Sequence, residues 1–87
     1  MHRANAYSAL ATALEEWRRL PALELVARIG LPPSTQTVQV DGEELALDIS
    51  ARWSNAKQEA IRVQGVACGP SHWRLERVEE AILVQAA

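Results

Sequence analysis

The residues best suited to bond-making chemistry are Cys68 and His72, a C-x3-H spacing in which a turn can bring thiol and imidazole within reach of each other. As nucleophile and base they would support a small thiol-dependent or hydrolytic enzyme. As metal ligands they are only two, where a structural zinc site takes four, and His2 sits near a terminus. No metal and no cofactor is therefore expected. The competing reading is a strand-end cysteine packed as a small hydrophobe beside an exposed turn histidine, since nothing in the sequence marks Cys68 as activated.

Other constellations fall short of chemistry for stated reasons. Glu44 and Asp48 stand four residues apart on one strand pattern, which separates their Cβ atoms by about 13 Å, beyond the spacing of a glycosidase carboxylate pair. The glycines at 30, 42, 65 and 69 are too dispersed to cradle a phosphate, and no Walker, dinucleotide, zincin or nucleophile-elbow pattern occurs. No catalytic residue is assigned.

Arginine offers a binding chemistry instead. Arg52, Arg62 and Arg74 have the strand parity opposite to Trp53, Ile61 and Trp73, so a meander would collect three guanidiniums on one outer surface. Arg52 and Arg62 would be near neighbours, and like charges directly opposite are unfavourable. Either acids such as Asp48, Glu44 and Glu76 pair with them, as on an ordinary solvated face, or a partner does. The planar fork of Arg favours carboxylates, so an acidic protein is the candidate partner. Single-stranded nucleic acid would need exposed aromatics on that same face, whereas Trp53 and Trp73 point the other way and Trp17 continues a helix stripe.

The elements that position these residues are legible from periodicity. Tyr7, Leu10, Leu14 and Trp17 form the stripe of an amphipathic helix over 4–19, with Glu15, Glu16, Arg18 and Arg19 opposite. Pro21 opens a second helix over 22–29 whose apolar edge is Leu23, Val26 and Ile29, and Gly30 stops it. From Thr35 the period becomes two. Strands over 35–40 and 43–53 flank Asp41-Gly42, a two-residue turn that sets Val40 opposite Glu43 and Val38 opposite Leu45. A third strand over 59–68 turns Ile61 and Val63 inward, with Gly65 as a bulge or a close approach of a helix. The end of the chain suits both helix and strand. The strand reading places a strand over 72–76, a break near 77–80 and a final extended piece over 81–84.

This predicts an α+β fold, one domain over 1–87 with two N-terminal helices on one face of an antiparallel meander of about four strands. Its core would be Leu10, Leu14, Trp17, Val26, Ile29, Leu45, Leu47, Ile49, Trp53, Ile61, Val63, Trp73 and Leu75. An N-terminal helix, the segment LPALELVARIG, the hairpin through VQVDGEEL, then ISARW, AIRVQGV and a closing AILV resemble a family of small uncharacterised bacterial proteins. The resemblance spans nearly the whole chain through pattern residues, implies the same fold and carries over no catalytic residue. Its members have an acidic, Gly-rich turn where this chain has Ser54 to Gln58.

Composition bounds the function. With 87 residues, 48% of them hydrophobic and 23% charged, the chain is long enough for one modest core. Nine Lys and Arg against eleven Asp and Glu leave a net charge of -2, without the positive excess that a phosphate backbone demands. No window approaches the roughly 18–20 apolar residues of a membrane span, and Met1 is not followed by an export signal. With a single cysteine, the cytoplasm is the expected compartment. The expected role is a non-catalytic protein-interaction module, either self-associating as a homodimer or inhibiting an acidic protein as immunity-type proteins do. The enzyme built on Cys68 and His72 is the alternative.

Overall fold

Leu10, Leu14 and their alanine neighbours bury one side of α1 (Arg3–Arg18), and this helix lies against the sheet. The computed structural model describes residues 2–69 and 77–86. Within them the chain is α+β: α1, a short α2 (Ala22–Ala27), then β1 (Ser34–Val40), β2 (Glu43–Trp53), β3 (Ala60–Cys68) and β4 (Arg77–Gln85) in one antiparallel sheet of order β1-β2-β3-β4. Each strand meets its sequence neighbour in an unbroken register.

Local chemistry accounts for the first half. α1 ends where Pro21 denies the next turn a hydrogen-bond donor, and Glu15 reaches Arg18 and Arg19 at 3.5 and 3.7 Å across its exposed side. At the hairpin Asp41 and Gly42 both take positive φ, 50° and 77°, and the pairs Val40–Glu43 and Val38–Leu45 form as the turn dictates. Positive φ is inexpensive for Asp and Gly, which is why this dipeptide reverses the chain. The turn from β2 to β3 is closed by Asn55, whose Oδ1 accepts the Glu59 N–H at 3.2 Å, and by the Ser54 N–H donating to the Ala60 carbonyl at 2.9 Å.

The core is the helix-side face of the sheet. Leu45, Leu47, Ile49, Ala51, Ile61, Val63 and Ala67 alternate inward along β2 and β3 and meet Ala6, Leu10, Ala13 and Leu14 of α1. Gly65 is a close approach and not a bulge: a Cβ there would stand 2.9 Å from both Ile49 Cδ1 and Leu10 Cδ2. Trp17, Ile29 and Trp53 are half-buried at its margin. Arg28 stacks over the Trp17 ring at 4.6 Å while also reaching Glu24 at 3.1 Å.

Three expectations require correction. α2 ends at Ala27, and Leu25 is its buried residue, whereas Leu23 is 87% exposed and Val26 is also exposed. A helix this short offers two rival stripes, 23/26/29 and 25/29, and docking selects the second. Beyond α2 the chain runs alongside β2, where the Gly30 N–H donates to the Ala51 carbonyl at 3.2 Å just past the end of β1. The expected break near 77–80 is absent, because residues 77–80 open β4, which pairs with β3 from Cys68–Arg77 to Ala60–Gln85. Val78, Ile82 and Val84 satisfy the period of a strand as well as part of a helical pattern, and the edge of β3 decides between them. The core also includes Ala6, Ala13, Leu25, Ala51, Ala67 and Val78, which the expected set omits. The expected strand over 72–76, with Trp73 and Leu75, lies outside the described residues.

Candidate functional site

The face of the sheet turned away from α1 is set by strand parity. β2 contributes Glu44, Ala46, Asp48, Ser50 and Arg52, β3 contributes Arg62, Gln64, Val66 and Cys68, and β4 contributes Arg77, Glu79, Ala81, Leu83 and Gln85. All of them are exposed or half-buried; among the described residues of this face only Ala60, at its end, is buried. It is a mixed surface of charge, amide and small apolar side chains.

Arg52 and Arg62 are direct cross-strand partners on it. Residues so placed have Cβ atoms about 4.5–5.5 Å apart, so two guanidinium stems rise side by side. Among the described residues no carboxylate forms an ion pair with either one. Of the acids expected to do so, Glu44 stands eight residues from Arg52 along β2 and Glu76 lies outside the described residues. Asp48 accepts a hydrogen bond from the Thr35 hydroxyl at 2.7 Å, and Glu79 pairs with Arg77 at 2.6 Å. Asp48 and Arg52 are four residues apart on one strand, about 13 Å between Cβ atoms. Arg62 is half-buried, and its Nε has no hydrogen-bond partner. Leu83 stands opposite Arg62 on β4 and is 58% exposed, which places an apolar side chain beside the paired cations.

No family model matches the chain, and neither a curated protein nor a solved structure matches it.

Of the residues singled out from sequence, Arg52 and Arg62 are brought together, and Arg74 and His72 lie outside the described residues. Cys68 is half-buried at the far end of the outer face, between Ala46 and Arg77 in adjacent strands. Among the described residues no group of three or more His, Cys, Asp and Glu side chains is placed to hold a metal ion. No described helix is long and apolar enough to cross a membrane.

Two features were not legible beforehand. One is the Arg77–Glu79 pair on the outer face. The other is a groove of about 550 Å³ between α1 and β4, lined by Tyr7, Ala11, Leu14, Glu15, Glu80 and Ile82. Both depend on which parity of residues 77–85 turns toward α1. Unbroken pairing of β4 with β3 settles this by putting even-numbered residues on the helix side.

Proposed function

We propose that the chain is a non-catalytic interaction module whose outer sheet face binds an acidic protein partner, as a small inhibitor that covers its target would. α1 then serves as backing on the opposite side. The observation that carries this reading is the direct opposition of Arg52 and Arg62 with no described carboxylate to compensate them. Placing like charges side by side costs a few tenths of a kcal/mol to about 1 kcal/mol, a cost that a bound carboxylate would reverse. The adjacent Leu83 and the small residues Ala46, Ser50 and Ala81 give the flat, partly apolar surround from which interfaces exclude water.

The test is capture of a partner by the immobilised chain and by the double variant Arg52→Gln/Arg62→Gln, which keeps side-chain length and polarity while removing charge and fork. The variant should show an unchanged far-UV circular dichroism spectrum and should fail to retain an acidic protein that the unaltered chain holds. Equal retention by both would reduce the arginine pair to a solvated face.

A further inference from the structure

Among the described residues the meander leaves two open edges, and the chain treats them differently. β1 follows Pro32 and Pro33, reads STQTVQV, and has apolar side chains only at Val38 and Val40 next to the hairpin. Proline and a polar sequence are the usual means of blunting an edge. β4 has no proline, no lysine and no bulge over nine residues, and among the described residues no strand pairs with its free side. Its charges are confined to Arg77, Glu79 and Glu80. Its second half is the uncharged run Ala81-Ile82-Leu83-Val84-Gln85.

The apolar surface wraps around this edge from both faces. Leu83 is exposed on the outer face, while Ile82 and Val84 are only half-buried although they point toward α1. Tyr7 of α1 is exposed above them, at the rim of the groove it shares with Ile82 and Glu80.

We infer that β4 pairs antiparallel with β4 of a second copy about a two-fold axis at Ala81, joining two four-stranded sheets into one of eight strands. The distribution of charge selects this register. A two-fold perpendicular to the sheet keeps each face on its own side, so residues opposite each other have numbers that add to an even total. Centred on Ala81, Arg77 meets Gln85 of the second copy, Val78 meets Val84, Glu79 meets Leu83 and Glu80 meets Ile82. The charged half of each strand lies on the uncharged half of the other, and all nine residues pair. Centring on Glu79 or Glu80 sets glutamate against glutamate, which is unfavourable. Centring on Ile82 carries Arg77 past the end of the partner strand. Pairing about Ala81 also leaves the outer faces of both copies on the same side, so two Arg52–Arg62 pairs share one surface.

Light scattering behind size exclusion on the full chain tests this. The unaltered chain should run with a mass of twice 9.6 kDa. Leu83→Glu should run as a monomer, because its new carboxylate faces Glu79 of the second copy in both symmetric positions. Within its own chain that carboxylate faces Arg62, a pairing that favours the folded monomer. Adding Glu79→Lys to Leu83→Glu turns each repulsion into an opposite-charge pair and should restore the dimer. Arg52→Gln/Arg62→Gln should keep the dimer mass, which separates this edge from the acidic-partner surface. A monomeric unaltered chain, a dimer that survives Leu83→Glu, a double variant that stays monomeric, or loss of the dimer in Arg52→Gln/Arg62→Gln would each overturn the inference.

Discussion

Leu23 and Leu25 stand two positions apart on α2 and meet opposite surroundings, one almost bare and the other 1% exposed. Truncating them should therefore give very different results: Leu25→Ala should lower the unfolding free energy by about 2–3 kcal/mol, and Leu23→Ala should change it by less than about 0.5 kcal/mol. Urea denaturation of the two variants measures both. Gly65 is a second position where one side chain decides packing. Gly65→Val would drive two methyl groups toward Ile49 and Leu10, both essentially without solvent exposure, and should cost about 1–3 kcal/mol by the same assay. The period of strands β2 and β3 makes the inward leucines and isoleucines legible in the sequence. The choice of Leu25 over Leu23 was not, because one and a half turns cannot define a stripe. Arg52 and Arg62 belong to the legible group, since their neighbourhood follows from alternation and a single loop. Their lack of carboxylate partners among the described residues is a matter of distance along the strands: Asp48 lies four residues from Arg52, and Glu79 lies four from Leu83, which stands opposite Arg62.

Among the elements, the β1–β2 hairpin is the most fully specified by local residues. Turn chemistry and hydrophobic alternation demand the same register, and the strands adopt it. Gly42 holds φ at +77°, so Gly42→Ala should destabilise the fold by about 1 kcal/mol, visible as a lowered urea midpoint with an unchanged slope. β4 is the contrary case. Glu79, Glu80 and Ala81 are ordinary helix formers, yet they lie in a strand because β3 presents a full edge and Val78, Ile82 and Val84 face α1 from it. Tertiary pairing overrides propensity at that element, and with it comes the parity that builds the groove beside Tyr7.

At the scale of the whole molecule, an 87-residue chain buries only about 60–65% of its unfolded surface, so covering an apolar edge with a second copy adds stability by mass action. The melting temperature of the unaltered chain should rise with protein concentration, and that of Leu83→Glu should not; differential scanning calorimetry over a range of concentrations reads the difference. By itself the sequence determined the α+β class, the extents of β1 to β3 to within one residue, the hairpin register and the outward parity of Arg52 and Arg62. Each of these rests on spacing between residues close in the chain, where alternation and turn geometry leave one solution. Only the tertiary structure decided the docking residue of α2, the continuity of β4 and which of its residues face α1. Those outcomes depend on surfaces supplied by distant segments, and no local period encodes which of two compatible faces will find a partner.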